Sequence, residues 1–223
     1  MAEQSPRRTP RNTLSPELIV QTALRVMETS GADACSTRAV AKELGVGPMA
    51  LYTYFRSKGD LFDALRNELL AKLPPPSASG PWQDRVRDIA RNLRRLMLQY
   101  PYLLQLMAAR PLVGHETAAA AEGLLSVLRE AGLDPQSAAR THTTLFTFVL
   151  GATMWELQMA SERRDPDHPH RLRATMESLS TGDYPTVVGL ARELSATAGG
   201  DEQFDHGLDL LVTGIEQHLS RAA

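Results

Sequence analysis

Hydrophobic residues recur along most of this chain at intervals of three and four positions, the spacing that places side chains on one face of an α-helix. Ser15 followed by Pro16 is typical of a helix start, and Gly31 is typical of a helix end. Similar patterns predict further helices over residues 37–44, 48–55, 60–73, 82–100, 102–109, 115–131, 136–163, 171–179, 184–195 and 201–220. No stretch alternates polar and apolar residues at the period of a strand, so the sequence predicts an all-α fold.

A stretch rich in proline, serine and glycine, "PPPSASGP" at residues 74–81, interrupts this pattern and indicates a linker between two domains. We therefore expect a short helical N-terminal domain over residues 15–73 and a longer helical domain over residues 82–223. Residues 1–14 are rich in arginine, proline and polar side chains, which indicates a flexible basic arm. At 223 residues, the chain is long enough for two small domains.

Only three residues, Gly45-Val46-Gly47, separate two short helices of the N-terminal domain. A tight, glycine-containing turn between short helices is typical of the helix-turn-helix, a motif that places its second helix in the major groove of DNA. The helical spacing predicts a small core for this motif that contains Val40, Leu44, Val46, Leu51 and Phe55. Ala41 is expected where the two helices approach closely.

Two tyrosines of the motif point away from that predicted core. Helical geometry turns Tyr52 about 100° away from Leu51 and leaves Tyr54 on the flank of the helix. At a DNA surface, a tyrosine can donate its hydroxyl to a phosphate and pack its ring against sugar carbons. The alternative is that both rings pack against the first and fourth helices.

The net charge of −2 gives no sign of a polyanionic partner, but the charge is unevenly distributed. Residues 1–59 carry 8 Lys/Arg against 5 Asp/Glu, and the remainder carries 16 against 21, so a basic head precedes an acidic body. Cys35 is the only cysteine, which excludes an internal disulfide and favours a reducing cytoplasm. The N-terminus lacks the apolar core of a signal peptide, and no apolar run reaches the roughly 20 residues that span a bilayer.

The segment "STRAVAKELGVGPMALYTYFRSKGDLFDAL", residues 36–65, resembles the DNA-binding segment of the tetracycline-repressor (TetR) family. The shared pattern is a Thr-Arg helix, a Leu-Gly-Val turn, Leu-Tyr-x-Tyr-Phe, and then a lysine. Two C-terminal segments, residues 131–156 and 204–216, resemble the tetracycline-repressor type of C-terminal domain. The resemblance implies an N-terminal helix-turn-helix domain followed by a helical domain for ligand binding and dimerisation.

The resemblance also implies which side chains contact DNA. Phosphate contacts are expected from Thr37, Tyr52, Tyr54 and Lys58. Positions near base edges are expected to be Pro48, Met49, Ala50 and Thr53. Arg38 is the candidate for bidentate reading of a guanine, with a phosphate contact or a solvated charge as alternatives. Gly47 departs from the family's usual Ser or Thr cap, which removes one side-chain contact.

The basic arm carries Arg7, Arg8 and Arg11. Arginines in such an arm can contact the minor groove or phosphates of DNA. The alternative is a disordered tail without a binding role, and the sequence leaves both open.

The family dimerises through a four-helix bundle, to which the helices predicted at 136–163 and 201–220 correspond. Gly207 and Gly214 on the last helix would permit close helix approach. Candidate ligand-binding residues, with ordinary core packing as the alternative for each, are Tyr102, Met107, His115, His142, Thr147, Trp155 and Met159. Asp165, Asp167, His168 and His170 are metal-capable residue types in a proline-rich loop, but we predict neither a metal nor a cofactor.

The expected function is that of a ligand-responsive transcriptional regulator, a repressor by analogy with most of the family. It would bind palindromic double-stranded operator DNA as a homodimer, and a small-molecule effector would release it. No constellation of acid, base and nucleophile points to an enzyme. The competing hypothesis is a helical protein-interaction or small-molecule-binding protein that does not bind specific DNA.

Overall fold

The computed structural model describes residues 14–31, 33–108, 114–160, 164–197 and 199–222, and all regular elements in these ranges are helices. In chain order they are α1 (Pro16–Ser30), α2 (Thr37–Glu43), α3 (Pro48–Tyr52), α4 (Lys58–Leu70), α5 (Trp82–Gln99), α6 (Tyr102–Ala108), α7 (His115–Glu130), α8 (Pro135–Met159), α9 (His168–Glu177), α10 (Pro185–Gly189), α11 (Ala191–Ala196) and α12 (Asp201–Ala222). The prediction of an all-α fold is confirmed.

Several helix boundaries differ from the prediction, for local reasons. α3 ends at Tyr52 rather than Phe55. α4 begins at Lys58 rather than Asp60, because the hydroxyl of Ser57 caps it by accepting from the Asp60 amide at 3.1 Å. The predicted helix over 184–195 is two short helices, α10 and α11, which meet at Leu190.

The segment predicted as a loop at 165–170 also differs, because α9 begins within it. His168, Pro169 and His170 form the first turn of this helix. Proline is well tolerated in the first turn of a helix, because amides in that turn have no carbonyl partner within the helix and the missing N–H therefore costs no hydrogen bond. The prolines that suggested a loop therefore mark a helix start.

The chain divides into two compact units. The first comprises the described residues up to Pro75 together with Gln99–Gly123, and the second comprises Pro76–Leu98 together with Leu124–Ala223. The predicted functional boundaries at 15–73, 74–81 and 82–223 stay a prediction.

The first unit has a core formed by one face each of α1, α2, α4 and α6. Leu61, Leu65 and Leu69 repeat every four residues along α4 and are each 1% exposed or less, so they form a continuous apolar stripe. Arg66 is also buried in this unit. Its Nη2 lies 2.9 Å from the carboxylate of Asp63, and its Nη1 donates to the backbone carbonyl of Leu106 near the end of α6.

The second unit contains an antiparallel ladder of polar pairs between α5 and α12. Reading down α5, the pairs are Gln83 with Glu216, Arg87 with Asp209, Arg91 with Asp205 and Arg94 with Asp201, at 2.7–2.9 Å. The α5 positions advance by three or four residues, so they lie on one face of that helix. The ladder fixes the direction and register of α12 against α5.

Arg94 occupies the point where three helices of the second unit meet. It is 7% exposed, pairs with Glu156 of α8 at 2.8 Å and Asp201 of α12 at 2.7 Å, and lies 4.8 Å from the ring centre of Phe204. The hydrogen bond from Arg94 is the main cause that lowers the pKa of Asp201 below its ordinary value.

Gly207 allows a close contact within this unit. A methyl group added at Gly207 would lie 2.7 Å from the Phe148 ring of α8, whereas no atom of the described residues lies within 4 Å of one added at Gly214. Gly207 therefore permits close approach of α8 and α12 within one chain, while close approach at Gly214 stays a prediction.

Among the described residues, no helix is both long enough and apolar enough to cross a membrane. The same part of the chain holds no group of three or more His, Cys, Asp or Glu arranged to bind a metal ion. Asp165 of the 165–170 segment instead pairs with Arg171 at 2.5 Å and accepts the Asp167 amide at 2.9 Å.

Candidate nucleic-acid interface

The turn between α2 and α3 has the geometry of a helix-turn-helix. Ser36 caps α2 by accepting from the Ala39 amide at 3.1 Å. The chain then turns through Gly45, whose φ of +67° is a conformation that favours glycine, and the Val46 amide donates to the Ala41 carbonyl at 3.0 Å. α3 begins at Pro48 without a side-chain cap, as the glycine at position 47 predicts.

The core of this motif matches the prediction except at one position. Val40 and Ala41 are fully buried, and Leu44, Leu51 and Phe55 are at most 9% exposed. Val46 is only half-buried, because it lies in the turn itself and not on an inward helix face. Because Leu51 and Phe55 are buried, the opposite side of α3 faces solvent.

The outward side of α3 is unusually apolar. Met49 is 76% exposed, Pro48 and Thr53 are exposed, and Ala50 is half-exposed. Among the described large hydrophobic residues, Met49 has the highest exposed fraction. Exposed apolar side chains on a helix of this motif are suited to contact thymine methyl groups in a major groove.

Two hydroxyl groups lie side by side at the edge of this surface. The Thr37 hydroxyl at the start of α2 is 3.5 Å from the Tyr52 hydroxyl at the end of α3, and the Tyr52 side chain is 43% exposed. Arg38, the next residue of α2, is exposed. The two hydroxyls are close enough to donate to oxygens of one phosphate group.

Tyr54 has a different environment although it is equally exposed, at 40%. Its hydroxyl donates to the backbone carbonyl of Leu14 at 2.7 Å. A phenol has one proton to donate, so this bond occupies it within the chain. The sequence carried no signal for this contact, because a backbone carbonyl is present at every position.

Lys58 begins α4 and is exposed, with its ammonium 4.7 Å from the ring centre of Phe62. The cation–π contact orients the side chain while the charge stays accessible to solvent. The DNA contacts predicted for all nine residues stay predictions, and the structure places each of these residues in the first unit.

The seven predicted ligand-binding residues are divided between the two units. Tyr102, Met107 and His115 lie in the first, where Tyr102 and Met107 are buried and His115 is exposed. Burial raises the pKa of the Tyr102 phenol, and the Glu28 carboxylate, 3.4 Å from its oxygen, raises it further. Ligand contacts by these residues stay predictions.

The other four predicted ligand-binding residues lie on α8 of the second unit. Thr147 and Trp155 are exposed, and His142 and Met159 are half-buried. His142 stacks on Phe146 with a centroid distance of 6.5 Å, and burial lowers the pKa of its imidazole. His142 lies on the opposite side of the helix from Trp155 and Met159, so α8 alone does not gather all four residues into one site.

α8 and α12 each carry an exposed stripe that we call their outer faces. The outer face of α8 consists of Thr144, Thr147, Gly151, Met154 and Trp155, and that of α12 consists of His206, Leu210, Gly214 and Gln217. Leu210 is 63% exposed, and Met154 and Trp155 are 50% and 53% exposed. Both helices therefore present apolar side chains that the single chain leaves in water.

Arg7, Arg8 and Arg11 of the basic arm lie outside the described residues.

Two family profiles match the chain. The profile described as bacterial regulatory proteins, tetR family, covers residues 19–65, and the profile described as tetracyclin repressor-like, C-terminal domain, covers residues 74–219. The first range contains the helix-turn-helix, and the second contains both outer faces.

Relatives match along nearly the whole chain. The transcriptional repressor DrrR1 of Streptomyces coeruleorubidus is 30% identical over 220 residues, which cover 95% of this chain and 80% of that protein. The class D tetracycline repressor of Escherichia coli is 27% identical over 211 residues, which cover 93% of this chain and 91% of that protein.

Solved structures show the same fold. Apo ActR from Streptomyces coelicolor superimposes with a TM-score of 0.81 at 28% identity and covers 94% of this chain and 98% of its own. The same protein in complex with actinorhodin gives a TM-score of 0.81 at 27% identity. Its complex with (S)-DNPA gives 0.80 at 27% identity, and both complexes cover 92% of this chain and 98% of theirs.

Proposed function

Because this chain belongs to the tetracycline-repressor (TetR) family of bacterial regulatory proteins, we propose that the outward surface of α2 and α3 is its operator-binding surface. The protein is a ligand-responsive transcriptional repressor that binds operator DNA as a homodimer. The competing hypothesis of a helical interaction protein without DNA binding is therefore set aside. We also infer that it has no catalytic activity and acts in the cytoplasm.

The main observation in support of the proposed operator-binding surface is the exposure of the outward side of α3. Leu51 and Phe55 hold this helix to the core, while Met49 projects into solvent with 76% exposure. Exposing an apolar side chain to water is unfavourable in free energy. Contact with a thymine methyl group would remove that unfavourable exposure. Pro48, Ala50 and Thr53 surround Met49 and would lie near the same base edges.

The polar groups at the rim of this surface have complementary roles. Thr37 and Tyr52, whose hydroxyls are 3.5 Å apart, donate to one phosphate, and Lys58 neutralises another. Phosphate contacts fix the register of a protein on DNA without reading sequence. Arg38 follows Thr37 in α2 and is exposed, and, as the one bidentate donor among these residues, it reads a guanine.

The binding experiment uses an operator selected from a random DNA pool with the full-length protein. An electrophoretic shift is measured on this operator and on a scrambled duplex at two salt concentrations. We expect preference for the operator and a steep loss of affinity with salt on both duplexes. Equal affinity for the two duplexes would refute sequence-specific repression.

We infer that the effector is a small molecule related to those that ActR binds, because ActR is similar over 94% of this chain. Actinorhodin and (S)-DNPA are therefore the first probes. A ligand releases DNA only if it binds one conformation more tightly, and a preference of about 1.4 kcal/mol changes operator affinity tenfold. We expect at least one of the two probes to weaken the gel shift.

Variants separate the DNA-binding role from the effector-binding role. His142→Ala is expected to weaken release by the active probe while leaving operator affinity in its absence unchanged. Arg38→Ala is the reciprocal control, because it should weaken operator binding and leave binding of the probe intact. A probe that bound tightly but left operator affinity unchanged would show that it is not an effector.

A further inference from the structure

A cleft of about 440 Å³ opens in the first unit between the end of α1 and the corner that joins α5 to α6. Ligand pockets in proteins usually have volumes of about 300–1,000 Å³, so this space has room for a small organic molecule. The described residues that line the cleft include Met27, Glu28, Gln99, Pro101, Tyr102 and Gln105. All of them belong to the first unit, whereas the four candidate ligand-binding residues of α8 belong to the second.

The buried side of the cleft is apolar. Met27 of α1 is 2% exposed, and Tyr102 of α6 is 9% exposed. Pro101 precedes Tyr102 in the chain and lines the same cleft. A polarisable thioether and an aromatic ring both pack well against hydrocarbon groups. The cleft therefore offers a surface for the apolar part of a ligand.

The polar side chains of the cleft can accept hydrogen bonds. The Glu28 carboxylate accepts from the Tyr102 hydroxyl at 3.4 Å, and because a carboxylate can accept about four hydrogen bonds, it retains capacity for a ligand. The amide nitrogen of Gln99 donates to the Tyr100 hydroxyl at 3.2 Å, which leaves the amide oxygen of Gln99 as an acceptor. Gln105 supplies a further amide and is exposed. Among the described lining residues, Glu28 alone carries a formal charge.

We propose that this cleft binds a small organic cation, with an ammonium group at Glu28 and an apolar group against Met27 and Tyr102. An ammonium group has three donors, which the acceptors of Glu28 and the two glutamines can satisfy. An anion would instead be repelled by Glu28 and would have no cationic partner among the described lining residues. The cleft shares none of these residues with the proposed operator-binding surface, so it is a ligand site of its own within the first unit.

The test compares two probes of nearly equal size, the phenethylammonium ion and phenethyl alcohol, which is neutral. The full-length protein is isotope-labelled in its methionine methyl groups, and each probe is titrated while the methyl spectrum is recorded. The Met27 signal is assigned from the spectrum of Met27→Leu. We expect the cation to shift this signal to saturation and to bind at least about threefold more tightly than the alcohol. The signal of Met49, which lies outside the cleft on α3, should not move.

Glu28→Gln removes the charge of the cleft but keeps the shape of the side chain and an oxygen that can accept from Tyr102. Binding of the cation should weaken by about three- to tenfold, between the effects of an exposed ion pair and of a charged hydrogen bond. Binding of the alcohol should not change. The matched control is Glu17→Gln, which removes an exposed glutamate from the first turn of the same helix and should leave the affinity for both probes unchanged.

A second variant adds charge to the cleft. Gln105→Glu should tighten binding of the cation by about two- to fivefold, the effect of one exposed ion pair, and it tests the proposal even if Glu28→Gln disturbs folding. Equal affinity for the cation and the alcohol, or equal effects of Glu28→Gln and Glu17→Gln, would overturn the proposal. If neither probe shifted the Met27 signal, the cleft would not be a ligand site, whereas the operator-binding surface is tested separately by the gel shift.

Discussion

Tyr52 and Tyr54 are two residues apart and similarly exposed, at 43% and 40%, yet their hydroxyls have different neighbours. That of Tyr52 lies near the Thr37 hydroxyl, and that of Tyr54 binds the Leu14 carbonyl. Tyr52→Phe removes only the hydroxyl, so the melting temperature should not change. Operator affinity should fall by about two- to tenfold, because one hydrogen bond is lost, and the loss should be similar on all operator variants.

A matched control for Tyr52→Phe is Leu51→Ala, one residue earlier. Leu51 is 1% exposed, so its truncation should lower the free energy of unfolding by about 2–5 kcal/mol. Melting and DNA affinity are measured on both variants. If Tyr52→Phe lowered the melting temperature, or left DNA affinity unchanged, Tyr52 would be a packing residue.

The roles proposed for Arg38 and Lys58 differ, because Arg38 would read a base and Lys58 would bind a phosphate. Arg38→Ala should relax the preference at one base pair of each half-site by about 1–3 kcal/mol. Lys58→Ala should weaken binding uniformly across operator variants and flatten the salt slope by about one unit for each lost contact. Affinities on a panel of single-base operator variants provide the measurement. Uniform weakening by Arg38→Ala would show that Arg38 binds a phosphate.

At the residue scale, helical geometry predicted which side chains of α3 face outward but not what they touch. Leu51 is buried and Met49 exposed, as their spacing requires. Val46 was wrongly placed in the core, because a turn residue has no helical face. The bond between Tyr54 and Leu14 could not be predicted, since its acceptor is a backbone group and its two residues are 40 positions apart.

At the scale of helices, the contact between α8 and α12 depends on the absence of a side chain at Gly207. Gly207→Ala would place a methyl group 2.7 Å from the Phe148 ring, and overpacking of this kind costs about 1–3 kcal/mol. We expect a lower melting temperature, measured by circular dichroism. A second change, Phe148→Leu, should restore part of the loss by opening space.

Gly214→Ala on the same helix is the control for this contact within one chain, because no atom in the described part of the chain lies within 4 Å of the added methyl group. Alanine favours a helix over glycine by about 0.5–1 kcal/mol, so stability of the single chain should not fall. If Gly207→Ala and Gly214→Ala melted alike, the contact with Phe148 would not determine the packing of α12.

The helices were predictable because their apolar periodicity and end signals agree. Ser15 and Gly31 bound α1 as expected, and Asp134 caps α8 by accepting from the Gln136 and Ser137 amides. The prediction failed where a proline is compatible with either a loop or a helix start, as at Pro169 in the first turn of α9. It also could not foresee the ladder between α5 and α12, because periodicity identifies a polar face but not its partner.

At the scale of the whole molecule, assembly into a homodimer is what allows two heads to bind one operator. The heads of a dimer must lie one DNA turn apart, about 34–36 Å, or a multiple of it. We propose that the outer faces of α8 and α12 form the interface, because both expose apolar side chains in the single chain. The identity of these helices came from the family resemblance, while the exposed residues became known only from the structure.

Leu210→Glu tests this interface. Leu210 is 63% exposed, so the single chain should tolerate the charge, whereas a partner's apolar surface should not. Sedimentation at micromolar concentration should show a dimer for the unaltered protein and a monomer for the variant, with operator affinity reduced accordingly. Ala118→Glu, an exposed change at the start of α7, should remain dimeric. A dimeric Leu210→Glu would place the interface elsewhere.

For the candidate effector-binding residues, the sequence did not predict which of them belong to the same unit. Tyr102, Met107 and His115 belong to one unit, and His142, Thr147, Trp155 and Met159 belong to the other. Residue type and helical spacing identify side chains that suit a pocket, but they do not say which helices lie together. That information depends on tertiary packing.

The position of Trp155 gives the molecule an optical reporter of its own. The chain has two tryptophans, and the indole of Trp155 is 53% exposed on the outer face of α8. Dilution that separates the subunits would return this ring to water and shift its ultraviolet emission to longer wavelength. Spectra of the unlabelled protein, compared with those of Trp155→Phe, would then follow subunit dissociation in real time without a dye.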